Sequence, residues 1–177
     1  MSEVIVMNIH TDRNLVLNIN KFLLAAVLGL AMLFSGSVIA GGNNGITLTQ
    51  AKAVISAAQE KAEKQGILLN IAVVDAGANL VTFVRMDGAF LGSIDLAIKK
   101  AKTSRFFNMS TGRLGELAQP GQPLYNIEIS NNGLISFPGG LPIKDKNGDI
   151  IGAIGVSGSS VENDHDVALA GVAVVLQ

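Results

Sequence analysis

Apolar positions recur every three or four residues along "ITLTQAKAVISAAQEKAEKQG", at Leu48, Ala51, Val54, Ile55, Ala58 and Ala62. That is the period of one helix face, and it predicts a helix that buries this stripe. Thr47 with Gln50 has capping-box spacing, Thr49 is a rival cap, and Gly66 supplies a C-terminal stop. The period then changes. Asn70–Asp75 is almost wholly apolar, and Leu80–Met86 follows it across the turn residues Asp75-Ala76-Gly77-Ala78-Asn79. Two strands are predicted here, the first of them central in a sheet covered on both faces.

A second helical stripe follows in "SIDLAIKKAKTSRFFN", with Ile94, Ala97, Ile98 and Ala101 on one face. Lys99, Lys100, Lys102 and Arg105 crowd its C-terminal half, where the helix dipole favours cations. A short helical turn is expected at Thr111–Ala118, before Pro120, Gly121 and Pro123 break the pattern. Leu134–Phe137 reads as a short strand. "LPIKDKNGDIIGAIGVSG" then reads as a hairpin around Asn147-Gly148, returning through Asp149–Val156. Gly152 and Gly155 fall inside that returning strand, where a glycine marks a bulge, a ligand or the close approach of another backbone. Ser159 and Glu162 have capping-box spacing at the start of a last helix. Hairpin connections flanked by helices predict an antiparallel sheet with helices packed on its faces, an α+β class.

The N-terminal region changes the cellular setting. Lys21 precedes an apolar run from Phe22 to Phe34, and Val38-Ile39-Ala40 is small enough for signal-peptidase cleavage. Residues 1–40 are expected to be a removable secretory signal, residues 41–46 a linker, and residues 47–177 one domain. A membrane anchor is the alternative, but at about 1.5 Å per residue the run falls short of a bilayer core of about 30 Å. The expected mature protein is periplasmic or secreted, with no stable membrane anchor after processing. Outside the cytoplasm it would meet no pool of ATP or NAD.

Composition narrows the chemistry. The 177 residues carry 13 basic and 14 acidic side chains, for a formal net charge of −1, and no basic block stands out. Nucleic acid is therefore not an expected partner. The absence of cysteine rules out disulfides, thiolate metal sites and a cysteine nucleophile. No phosphate-binding glycine motif is present, and Ser159 stands where a nucleophile elbow around Ser157 would require glycine. No catalytic residue can be named.

Taken together and in order, "LTQAKAVISAAQEKAEKQG", "IAVVDAGANLVTFVRMDGA", "AIKKAKTSRFF", "FPGGLPI" and "GDIIGAIGVSGSSVENDHDVALAG" resemble the GlcG/HbpS family of haem-binding and haem-degrading proteins, which is similar to the C-terminal domain of PduO. The resemblance implies a profilin-like three-layer α/β/α sandwich with a five-stranded antiparallel sheet, and assembly into a homo-oligomer. It also implies haem or another tetrapyrrole as ligand, with haem capture, haem degradation or iron handling as the role. Haem binders of that family use a histidine from the first helix, and Leu48–Gln65 contains none.

The chain has two histidines, and His10 lies in the expected signal segment. His165, between Asp164 and Asp166, is either a haem or metal ligand or a solvated first-turn histidine. Met86 offers a thioether that can ligate haem iron or simply fill the core. Arg85 offers a planar fork of donors for a propionate or a small carboxylate, or else an ion pair with Asp87 or Asp75. Thr103 is a further candidate. Gly139 and Gly140 either let a flat ligand approach the backbone or shape a bend. Glu60 and Glu63 have the E-x-x-E form that the resemblance links to surface iron, and a solvated helix face, with Glu60 and Lys64 as an i,i+4 pair, is the favoured alternative. The reading from another class is a non-haem accessory protein that binds a small organic acid or a protein partner on the same scaffold.

Overall fold

The computed structural model describes residues 45–175, so the expected signal segment and most of the linker lie outside the described residues. The helix expected first is α1 (Leu48–Gln65). Its start is the Thr47/Gln50 capping box, in which the Gln50 N–H donates to Thr47 Oγ1 (3.2 Å) and the Thr47 N–H to Gln50 Oε1 (3.0 Å). Gly66 ends it at φ 65°, a left-handed angle that glycine adopts at little cost. No helix among the described residues is long and apolar enough to cross a membrane.

Strands β1 (Asn70–Asp75) and β2 (Leu80–Arg85) form the first hairpin, and β3 (Gly140–Lys144) and β4 (Ile150–Ser157) the second. One device turns both. Asp75 Oδ1 accepts from the N–H groups of Gly77 and Asn79, and Asp145 Oδ1 from those of Asn147 and Asp149. Each turn also needs one left-handed residue. Gly148 takes that role in the second hairpin (φ 88°), whereas Ala78 takes it in the first (φ 61°). Asn147 is not left-handed, so the Asn-Gly pair supplies one such angle rather than two.

The strands join as an antiparallel sheet in the order β2-β1-β4-β3. Four strands form among the described residues rather than the expected five. The segment expected as a strand, Leu134–Phe137, is tied elsewhere: the Leu134 N–H donates to Glu128 O, and the Ile135 N–H donates to Thr103 Oγ1. Its backbone donors are spent on loop and helix partners, so it enters no ladder.

Three further helices complete the chain: α2 (Gly92–Phe107), α3 (Thr111–Leu117) and α4 (Val161–Ala173). Helices α1 and α4 pack on one sheet face, where Ile71, Val73, Ile154 and Val156 meet Val54, Ile55 and Val167 in the main core. Helix α2 covers the opposite face, over Ala72, Val74 and Ala153. The cap of α4 is Ser160, whose hydroxyl accepts from the Asn163 N–H, rather than Ser159. Ser159 instead spends its N–H on the carboxylate of Asp164.

Candidate functional site

The α2 face of the sheet is built from small residues, and this lets the helix come unusually close. A Cβ on Gly155 would lie 2.0 Å from Ala97 O and 2.4 Å from Ala101 N, so only a residue without one fits. Lys100 stands in the same stripe as Ala97 and Ala101. Its charge does not serve the helix dipole, as the sequence pattern suggested, because the side chain is 0% exposed.

The ammonium of Lys100 crosses to the far layer. Nζ donates to Val156 O (2.9 Å) and to Asp164 Oδ2 (2.8 Å), and it lies 4.8 Å from the centroid of the Phe137 ring. Asp164 Oδ1 accepts from the Ser159 N–H at 3.0 Å. Burial pushes the Lys100 ammonium below its ordinary range and the Asp164 carboxyl above its own, and their mutual hydrogen bond opposes both shifts. Once buried, each group depends on the other.

Gly139 and Gly140 close around this pair. Gly139 is left-handed (φ 122°), and a Cβ there would stand 2.6 Å from Val156 O and 2.7 Å from Lys100 Nζ. Gly140 donates its N–H to Thr111 Oγ1 (2.9 Å), and a Cβ on it would meet Lys100 O at 2.5 Å. Both glycines are buried, so the structure uses them for close packing of α2, α3 and the start of β3.

His165 follows Asp164 and faces an open cleft of about 420 Å³, which Ser110, Arg113, Pro138, Glu162 and Asp166 also line. Its Nδ1 is buried without a hydrogen-bond partner. Arg113 pairs with Glu116 at the rim. Glu162 is held below the usual carboxylate range by a backbone N–H of the helix start and the Ser160 hydroxyl. The cleft thus sets one imidazole and one guanidinium among carboxylates.

The other candidates lie elsewhere. Met86 is buried in the main core, with its N–H donated to Leu69 O (3.0 Å). Arg85 is exposed at the end of β2 and makes only a long contact to Ala89 O, 3.5 Å. It forms no ion pair with Asp87 or Asp75 among the described residues, and Asp75 is occupied by its own turn. Thr103 is 1% exposed and accepts from the Ile135 N–H. On the outer surface of α1, Glu60 binds Lys64 Nζ (2.5 Å) and Glu63 accepts from Gln59 (3.0 Å). Among the described residues no group of three or more His, Asp or Glu side chains is placed to hold a metal ion.

Sequence reasoning missed Lys100, Asp164 and Asn70. Asn70 is 0% exposed, and its amide donates to Phe90 O (3.0 Å) and Ser93 Oγ (3.1 Å), holding the loop after β2 against the start of α2. The available signal for Lys100 was its spacing: it follows Ala97 by three positions and precedes Ser104 by four, on the buried face.

Comparison with known proteins places this architecture. The family described as "Haem degrading protein HbpS-like" matches residues 46–173. The chain belongs to this HbpS-like family. A 15.0 kDa protein of Citrobacter freundii, from the dhaT-dhaS intergenic region, is 39% identical over 124 residues, covering 70% of this chain and 87% of its own. The structure of a PduOC:heme complex is similar at a TM-score of 0.69 and 32% identity, covering 73% of this chain and 94% of that one. A double mutant of Streptomyces reticuli HbpS is similar at a TM-score of 0.67 and 34% identity, covering 74% and 87% of the two chains. The resemblance read from the sequence motifs is therefore a family membership.

Proposed function

We propose that this chain binds haem or a related tetrapyrrole, and that His165 supplies the iron ligand from the cleft between α3 and α4. The observation that carries the proposal is the likeness to the haem complex of PduOC, which extends over 94% of that chain. The cleft offers donors of the right kind. Because Nδ1 of His165 is shut off, Nε2 is the ring nitrogen available to iron. Arg113 is the nearby cation for a propionate. Bound there, haem would supply an iron centre, and His165 is the residue that would hold it.

At about 420 Å³ the cleft covers part of a macrocycle and leaves an edge in solvent, which favours reversible capture over permanent retention. Met86 is a poorer ligand, since its thioether is enclosed by the core. Iron at Glu60 and Glu63 would first have to displace Lys64 and Gln59.

Export of the protein is part of this proposal and rests on the run Phe22–Phe34 and the small residues up to Ala40. Self-association is also part of it, supported by Phe90 and Leu91, adjacent apolar side chains each 71% exposed. Absorbance titration of the purified chain with haem tests the proposal. A saturable Soret shift is expected, and a featureless, non-saturating titration would turn attention to small carboxylates, for which exposed Arg85, in no ion pair among the described residues, is a candidate guanidinium.

A further inference from the structure

A second cavity lies on the outer side of α2, away from His165. It measures about 210 Å³ between that helix and the loop before Leu134, and its wall includes Asp95, Lys99, Lys102, Thr103, Asn132 and Gly133. The volume is below the range of about 300–1,000 Å³ usual for drug-sized ligands, so a tetrapyrrole is excluded and a few-atom ligand is favoured.

Its wall sets two ammonium groups and a hydroxyl beside the carboxylate of Asp95. Lys102 makes no ion pair among the described residues. Lys99 is held by Asp95 at 2.8 Å, but that carboxylate is 68% exposed and screened by water. A Cβ on Gly133 would stand 3.5 Å from Lys99 Nζ, so the loop passes beside this ammonium. Thr103 Oγ1 already accepts from the Ile135 N–H, which leaves its own proton to donate.

The loop is also held in a defined conformation. Asn131, Asn132 and Gly133 are all left-handed, at φ 51°, 61° and 94°. Asparagine enters that region more readily than other non-glycine residues, so the Asn-Asn-Gly sequence suits the turn. The bonds Gly133 N–H to Ser130 O and Leu134 N–H to Glu128 O hold the turn beside the lysines.

We infer that this cavity is a binding site for a small oxyanion, a carboxylate or a phosphate, held by Lys102 and Lys99 with Thr103 and the Asn131–Gly133 loop. It is independent of the haem proposal, since Lys102 lies outside the cleft of His165.

Amide chemical shifts of the haem-free chain, titrated separately with acetate, malonate and inorganic phosphate, test the site. Saturable shifts are expected at Lys102, Thr103 and Asn131–Gly133 with at least one of the three, and the responding anion separates a carboxylate from a phosphate site. Lys102→Met should weaken that binding roughly tenfold, the scale of one lost charge-assisted hydrogen bond. Asn132→Gly, which keeps the left-handed turn and deletes the amide, provides a second variant. Absence of saturable shifts at these amides up to millimolar anion overturns the inference. So does binding that neither variant weakens. The haem titration of Lys102→Met should match that of the unsubstituted chain in either case.

Discussion

The two faces of the sheet do different work. Towards α1 and α4 the strands present Ile71, Val73, Ile154 and Val156; towards α2 they present Asn70, Ala72, Val74, Ala153, Gly155 and Ser157. Each fully buried aliphatic side chain on the first face contributes about 1.5–3 kcal/mol of burial, so stability is concentrated there. The second face buries a smaller apolar cluster, mostly alanine. What it gains is proximity, because small residues let α2 descend onto β4 until Lys100 reaches through to Asp164 in the opposite layer. Strong packing on one side tolerates a buried ion pair on the other, and that pair fixes the start of α4 beside His165.

The largest expected effect breaks the close approach itself. Gly155→Val places a side chain where Ala97 O already stands, and it should cost about 4 kcal/mol or more or prevent folding outright. Urea unfolding checks this, and near-native stability would mean that α2 does not rest on the β4 backbone. Lys100→Met comes next. It strands the Asp164 carboxylate in the interior and should cost about 3–5 kcal/mol, while Lys100→Met with Asp164→Leu should recover most of the loss. Equal losses in the single and double variants would show that packing, not the ion pair, sets the cost.

The pH dependence sharpens the same point. Burial raises the Asp164 carboxyl above its ordinary 3.8, so the folded chain keeps this proton where the unfolded chain has released it. Its contribution to stability is therefore greatest below 3.8 and falls as pH rises through the folded value. The stability advantage over Asp164→Asn should shrink across that interval, whereas a growing advantage would mean that Lys100 outweighs desolvation.

Smaller effects calibrate the aliphatic face. Ile154→Val should cost about 0.5–1.5 kcal/mol by denaturant unfolding. Outside both faces, Ala78→Gly relieves a left-handed alanine and should add about 1 kcal/mol, an effect Gly148 has no room to repeat.

Local rules made much of the fold legible. The capping box at Thr47, the stop at Gly66, the strand Asn70–Asp75 and the second hairpin each depend on residues close in sequence. Ser159 and Ser160 are adjacent and chemically alike, so only the geometry shows which one caps α4. Leu134–Phe137 looks like a strand because it is apolar, and distant partners on Thr103 and Glu128 keep it out of the sheet. The candidate site was harder. Lys100 meets a partner 64 positions away, and a lysine among other lysines reads as a solvated helix end until the fold brings Asp164 to it. Motifs identified the family, but they could not tell that Met86 and the two glycines are enclosed while His165 is open.

Parallel haem titrations of the unsubstituted chain, His165→Ala and Met86→Ala test the central claim most directly. His165→Ala should weaken binding by at least about tenfold, a loss of roughly 1.4 kcal/mol, and change the Soret band, while Met86→Ala leaves the band in place. A His165→Ala protein that titrates like the unsubstituted chain would contradict the assignment of the iron ligand to this cleft.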